Sequence, residues 1–406
     1  MEIYEVGGCL RDELLGLAVK DRDWVVVGAT VQQMLEAGFK PVGKDFPVFL
    51  HPKTQEEYAL ARTERKTAAG YHGFVFHADP SVTVVEDLAR RDLTVNAIAR
   101  DPQGRLIDPF GGQADLQARV FRHVSPAFAE DPVRILRLAR FMARFEHFTV
   151  APETLALCRQ MVAAGEVDAL VPERVWQELS RGLMEPKPSR MIMTLLHCGA
   201  LQRLLPELAA LQAVELTAAS GTVDLLTHIT QLLDRAAQVQ APLTVRYALM
   251  MQGLSQPYLL QLKISSVFSD INLLRGVCKR LRVPAECRDL ALLLAKEASN
   301  IHACLEWEAT AIVQLLERCD ALRKPERFAQ LLQACALQAQ AIQVFTTSEV
   351  GQPQAYRPAG HLQAALQAIR AVDAGAIAAR YIGQPQRIKQ AVHAARVACV
   401  QEKLER

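Results

Sequence analysis

The stretch Val6-Gly7-Gly8-Cys9-Leu10-Arg11-Asp12-Glu13-Leu14-Leu15-Gly16-Leu17-Ala18-Val19-Lys20-Asp21-Arg22-Asp23 puts a glycine turn, an arginine and two spaced aspartates into one short unit. The apolar run from Ile3 to Val6 reads as a strand ending on Gly7-Gly8, where missing Cβ atoms let backbone N–H groups approach a phosphate. CLRDELLG then has the make-up of a short helix closed by Gly16, so its N-terminus and Arg11 can face the same anion. A second strand follows in DRDWVVVG. Side chains alternate along a strand, so Asp21 and Asp23 are expected on one face, about 7 Å apart along the chain. Taken singly, Gly-Gly is an ordinary turn and Asp-x-Asp a solvated strand end. Together they point to a phosphate beside a cation, because hard oxygen ligands suit Mg²⁺ held by one or two carboxylates plus substrate phosphates. Such a pair can lower the pKa of an attacking hydroxyl and neutralise a leaving pyrophosphate.

The 406 residues around this unit are enough for two or three domains with sizeable cores. Half are hydrophobic and 6% aromatic, which suits a helix-rich soluble protein. A net charge of +2 supplies no global attraction to nucleic acid, so any RNA contact has to come from local basic patches. The N-terminus MEIYEVGG lacks a basic, apolar leader, and no stretch nears ~18 uninterrupted apolar residues. A cytoplasmic location with no membrane contact is expected. Nine cysteines without a C-x-x-C fit reduced, mostly buried thiols better than disulfides or a zinc site.

Up to about residue 120, IYEV, WVVVG, PVFLH, EYALA and RLIDP read as strands, and TVQQMLEAG and DLARRDLTVNAIA as helices. From Pro126 onward, apolar residues recur at three and four residue spacing and the strand signals fade. These signals give an α/β or α+β N-terminal unit, taken as an α+β head, followed by an all-α remainder. Boundaries are placed at 1–124 for the head, 125–209 for a helical neck, and 210–406 for a helical body and tail. QPQAYRP near residue 352 is the clearest loop.

Two further stretches carry chemistry. Asp87 to Ala99, DLARRDLTVNAIA, reads as an amphipathic helix with Arg90, Arg91, Asp92, Thr94 and Asn96 among small apolar positions. The turn Asp108-Pro109-Phe110-Gly111-Gly112 after it reads as geometry alone. In Glu130-Asp131-Pro132-Val133-Arg134, Asp131-Pro132 is a good helix start, and helix capping by itself accounts for Asp131. On that helix Arg134, Arg137, Arg140 and Arg144 fall within an arc of roughly 120°. They form either a solvated stripe or a surface for triphosphate and bases.

Gly7-Gly8-x-x-Arg11-Asp12 followed by Asp21-x-Asp23 resembles the head signature of the bacterial-type (class II) tRNA nucleotidyltransferases, the CCA-adding enzymes, within the polymerase-β-like superfamily. Arg90-Arg91-Asp92-x-Thr94-x-Asn96-Ala97 is similar to that family's R-R-D-x-T-x-N-A motif. Glu130-Asp131-x-x-Arg134 is similar to its E-D-x-x-R motif, and PERVWQE at 172–178 to its neck. The resemblance is strong over residues 1–210 and loose afterwards. It implies a polymerase-β-like head, and template-independent addition of C, C and A to tRNA 3′ ends from CTP and ATP. The implied cofactor is Mg²⁺, held by the catalytic Asp21 and Asp23. Gly8, Arg11, Arg91, Arg137 and Arg140 are implied for the nucleotide, with Asp92 and Asn96 orienting the arginines and sugar. Asp131 and Arg134 would act as an amino-acid template for the base. A carboxylate only accepts and a guanidinium only donates, which suits the exocyclic amine and ring nitrogen of cytosine or adenine. Residues 61–80, with Arg62, Arg65, Lys66, Gly70 and Gly73, suggest a mobile basic loop of the kind that accompanies A addition in the family. The partners are tRNA, ATP and CTP, and no protein partner is implied.

Longer members of the family carry an HD phosphohydrolase domain after the neck. Here Gln252-Gly253 stands where its His-Asp pair is expected, in VRYALMMQGLS. Glycine has no side-chain donor, and a glutamine amide replaces imidazole poorly at a metal. A degenerate HD-like scaffold without phosphatase, 2′-nucleotidase or cyclic phosphodiesterase activity is expected, with His228 a packed core residue. Two other readings are a poly(A) polymerase, which shares this head, and a non-catalytic RNA-binding protein.

Overall fold

A computed structural model describes residues 1–42, 48–66, 74–77, 79–218, 221–254, 270–347 and 355–405. Part of the 61–80 loop (67–73 and 78), the first three residues of QPQAYRP (352–354), and the Ser255 to Lys263 segment lie outside them. The chain divides into two compact units, one of Met1–Gly182 with Arg190–Leu204, the other of Leu183–Ser189 with Leu205–Arg406.

The first unit begins with β1 (Glu2–Val6), α1 (Gly8–Leu14), β2 (Asp23–Val27), α2 (Val31–Glu36), β3 (Lys40–Val42), β4 (Val48–Leu50) and β5 (Glu57–Leu60). Then come the hairpin β6 (Thr63–Lys66) and β7 (Phe74–His77), helix α3 (Val84–Ala89), and the short strands β8 (Ala99–Arg100) and β9 (Leu106–Ile107). Among the described residues the main sheet has the order β3-β4-β5-β2-β1-β8-β9. Alternation along the valine run of β2 explains how this sheet is covered. Val25 joins Val6, Leu88 and Ala97 in one apolar cluster, while its neighbour Val26 joins Met34, Phe49 and Leu60 in another. Burying those alternate residues fixes the register, because a slip of one position would turn the whole set outward. In that register β1 and β2 are antiparallel with Val6 opposite Asp23. The Gly7-Gly8 turn and the aspartates therefore emerge at the same edge.

The strands and α2 agree with expectation, and α2 carries a Thr30–Gln33 capping box. DLARRDLTVNAIA does not form one helix. Helix α3 stops at Ala89, Thr94–Asn96 is a single 3₁₀ turn, and Ala99 pairs with Val6. The Asp92 carboxylate accepts from the Leu93 N–H at 2.9 Å, a local bond that competes with helix. Strand pairing with β1 then outweighs helix propensity. Asp21 also departs from expectation, since β2 starts at Asp23 and Asp21 precedes it in irregular backbone.

Helix α4 (Gly112–Ala118) is capped by Asp108, which accepts from the Gly112 and Gln113 N–H groups at 2.7 and 2.9 Å. After it come α5 (Val133–Arg144), α6 (Pro152–Ala163), α7 (Pro172–Leu183) and α8 (Pro188–His197). The second unit is mainly helical and includes α9 (Leu225–Gln238) and α10 (Leu243–Met251). Every residue of α10 from Val245 to Met251 is buried. No helix among the described residues is long and apolar enough to cross a membrane.

Candidate active site

Val6 closes β1, and Gly7 turns the chain at φ +84°, ψ −132°, a backbone state open essentially to glycine. Its N–H donates to the Ile98 carbonyl at 3.1 Å, which ties the turn to the segment after Arg91. A methyl group at Gly7 would lie 2.9 Å from Arg91 Nη1, and one at Gly8 would lie 3.4 Å from Arg11 Nη2. Two guanidinium groups thus flank the paired glycines, and at Gly7 the approach is closer than a side chain permits. Two cations beside side-chain-free backbone are an arrangement suited to an anion.

The turn forms one wall of a cleft of about 860 Å³ within the first unit. Every residue named for the site borders it: Gly8, Arg11, Asp21, Asp23, Arg91, Asp92, Asn96, Asp131, Arg134, Arg137 and Arg140. The side chains are arranged as a network rather than as free charges. Fully buried Asp87 takes Arg90 at 2.7 Å and Arg91 at 3.1 Å. Asp92 takes Arg137 at 2.8 Å and the Asn96 amide at 3.0 Å. Burial alone would raise the Asp92 carboxyl, but Arg137 and the Asn96 hydrogen bond overcome it and hold the group well below the usual carboxylate range. Arg140 pairs with Glu178 at 2.6 Å. Arg134 donates to the carbonyls of Ala127 and Arg90 at 2.8 and 2.7 Å, which pins the end of α3 to α5. The arginine face expected on one helix is present on α5, with Arg137, Arg140 and Arg144 ion-paired along it.

Asp131 precedes α5 and accepts from the Val133 N–H at 3.1 Å, so it does cap the helix. It also takes both terminal nitrogens of Arg174, at 3.1 and 2.8 Å. Asp21 and Asp23 are exposed to the cleft. Desolvation by the surrounding walls pushes the Asp23 carboxyl up, Arg91 pulls it down, and Asp21 pushes it up. Among the described residues no cluster of three or more His, Cys, Asp or Glu could hold a metal by itself. Two hard oxygen donors beside an anion cradle fit a Mg²⁺-type ion that completes its shell with phosphate and water.

Four further residues in and behind the cleft hold the site's charged side chains. Arg174 and Glu178 border the cleft from PERVWQE, which the sequence presents as structural helix, while Asp87 and Asp12 lie behind it and pair with Arg90, Arg91, Arg11 and Arg144. A buried arginine needs a buried acid, and that rule was a usable signal for Asp87 and Asp12.

Residues 3–122 match the model of the poly A polymerase head domain, and residues 147–212 the model described as the probable RNA and SrmB-binding site of polymerase A. The multifunctional CCA protein of Burkholderia lata is 58% identical over 417 residues, spanning 100% of this chain and 99% of that protein. The chain belongs to the multifunctional CCA protein family. The CCA protein of Cupriavidus necator is likewise 58% identical, over 98% of each chain. The Bacillus stearothermophilus CCA-adding enzyme in complex with CTP shares the fold, with a TM-score of 0.64 at 22% identity over 98% of this chain and 89% of that one. So does the Thermotoga maritima CCA-adding enzyme complexed with tRNA, at 0.56 and 20% identity over 97% and 91%.

In this CCA family member the Gln252-Gly253 stretch is packed into the interior of the second unit. Gln252 and Gly253 form a buried 3₁₀ turn after α10. Gln252 Oε1 accepts from Gln338 Nε2 at 2.6 Å, and a methyl group on Gly253 would press on Ile229 and on Leu211 Cδ1. His228 is buried on α9 with its ring edge-on to Phe345, and burial lowers its pKa to about 4.

Proposed function

We propose that this chain adds C, C and A to the 3′ end of tRNA from CTP and ATP, without a nucleic-acid template. The observation that carries this reading is identity at 58% over the whole chain with CCA proteins, on a sequence whose eleven candidate site residues border one cleft. The tRNA 3′-hydroxyl attacks the α-phosphorus, and the bond to the leaving pyrophosphate breaks. Gly8, Arg11 and Arg91 receive the triphosphate, while Arg137 and Arg140 complete the pocket from α5. Asp21 and Asp23 would hold Mg²⁺, which supplies activation of the hydroxyl and neutralises the developing phosphate charge. Asp131 reads the exocyclic amine of cytosine or adenine. Its Oδ1 accepts from Val133 and Arg174 and its Oδ2 from Arg174, which leaves a lone pair on Oδ2 for the base. Arg134 completes the template from the ring-nitrogen side.

Residues 1–124 are read as the head and 125–209 as the neck; from 210 onward we read a helical scaffold for tRNA with no phosphohydrolase activity. The packed Gln252-Gly253 turn supports that. All nine cysteines are free and eight are buried, which suits a reducing compartment such as the cytoplasm.

One incubation tests the reading against a poly(A) polymerase. Purified protein is given tRNA lacking CCA and each nucleotide separately or together, and the 3′ ends are sequenced. Two C residues with CTP alone, and one A after them with both nucleotides, are expected. Long A tracts on arbitrary RNA would favour the polymerase instead.

A further inference from the structure

Six charged or polar side chains in the first unit close into a ring. Arg144 on α5 donates to Asp12 Oδ2 at 2.7 Å. Arg11 donates to Asp12 Oδ1 from Nε at 2.9 Å and from Nη2 at 2.8 Å. Arg11 Nη1 donates to Asn96 Oδ1 at 2.6 Å, and Asn96 Nδ2 donates to Asp92 Oδ1. Asp92 Oδ2 takes Arg137, which lies on α5 two turns before Arg144. Both ends of the chain of bonds are therefore anchored on the same helix. The Arg11 guanidinium is also packed over the rings of Phe141 and Phe145 from α5, at 5.1 and 5.2 Å.

This arrangement leaves Arg11 few places to go. Its group is 4% exposed, and three of its five N–H bonds are committed to Asp12 and Asn96. The remaining hydrogens are on the two terminal nitrogens, the atoms that lie nearest the missing Gly8 side chain. We propose that Asp12 and Arg144 are positioning residues for the nucleotide. They fix which edge of Arg11 meets the triphosphate, and they join that edge to Arg137 so that both arginines are set by one network. This rests on the assignment of Arg11 and Arg137 to the nucleotide.

A purely structural pair would respond differently to substitution. Arg144 is about one-third exposed, so its removal does not strand a deeply buried charge, and Arg144→Met keeps an aliphatic stem of similar length while losing the guanidinium that bonds Asp12 and lies over Phe145. If the pair only held α5 in place, Arg144→Met would lower the unfolding temperature and leave the kinetic constants of the folded enzyme alone. If it orients Arg11, the KM values for CTP and ATP rise together by about tenfold while kcat stays within about threefold.

The experiment measures KM, kcat and thermal unfolding for the full-length wild type, Arg144→Met, Arg144→Lys, Asp12→Asn, Arg11→Ala and the double variant Arg11→Ala/Arg144→Met. Expected are raised KM values in Arg144→Met and Asp12→Asn, partial recovery in Arg144→Lys, and no added effect of Arg144→Met once Arg11 is gone. Unchanged KM in Arg144→Met, with Arg11→Ala still raising it, overturns the positioning role alone. Additive effects in the double variant overturn it too, because Arg144 would then act independently of Arg11. Unchanged KM in Arg11→Ala overturns the nucleotide assignment on which the proposal stands.

Discussion

Arg174 donates both terminal nitrogens to the Asp131 carboxylate, at 3.1 and 2.8 Å, from the neighbouring helix α7. Bidentate pairing fixes the plane of a carboxylate as well as its charge. A residue expected to read a base edge is thus aimed by a residue that sequence reasoning had left to structure.

Base selection follows from that pair. Asp131→Ala should relax discrimination against UTP and GTP more than it slows use of CTP, because one lost buried contact removes ~1–3 kcal/mol of preference. Arg174→Lys keeps the charge and loses the fork, so a smaller loss of discrimination is expected. Competition assays with paired nucleotides check both variants. Equal slowing for all four nucleotides would return Asp131 to the role of a helix cap.

Gly7 offers a test of the cradle. Gly7→Ala places a methyl group in a positive-φ turn, at a cost of ~1–3 kcal/mol, and drives it toward Arg91 Nη1. The expected result is a raised KM for both nucleotides with modest loss of thermal stability. Steady-state kinetics beside a melting curve would show it, and unchanged kinetics would remove Arg91 from the cradle.

His228 gives a pH dependence of defined sign. Burial lowers its folded pKa to about 4 from an ordinary value near 6.5. Above 6.5 it is neutral in both states and its contribution is intact; as pH falls toward 4 only the unfolded chain takes up the proton. Stability should therefore fall by roughly 3 kcal/mol from this group between pH 6.5 and 4, and level off below. Urea unfolding across that range, compared with His228→Gln, isolates the effect. A slope unchanged in the variant would show that the imidazole titrates normally.

The closed turn after α10 makes restoration of the missing pair costly. Gln252→His with Gly253→Asp forces atoms onto Ile229 and Leu211 and buries a carboxylate, a loss of ~3 kcal/mol or more. The expected double variant is destabilised and gains no hydrolysis of a 2′,3′-cyclic nucleotide with Ni²⁺ or Mg²⁺. Recovered hydrolysis in a stable variant would mean that the site had only lost its ligands.

The main strands and the arginine face of α5 were legible because each is a local pattern: two-residue alternation at Val25 and Val26, and three and four residue spacing at Arg137, Arg140 and Arg144. DLARRDLTVNAIA has the pattern of one helix, but Ala99 is claimed by β1, a partner far away in sequence that periodicity does not report. The same limit hid Arg174 and Glu178. Their spacing on α7 is ordinary, and only folding brings them to Asp131 and Arg140.

The central claim is that Asp21 and Asp23 carry phosphoryl transfer to tRNA. Incorporation of labelled CTP and ATP into tRNA lacking CCA is measured for the wild type and for Asp21→Asn/Asp23→Asn, with circular dichroism to confirm folding. A loss of about a hundredfold or more is expected, since removal of both carboxylates forfeits several kcal/mol of transition-state stabilisation. Near-normal incorporation by the folded double variant would contradict it.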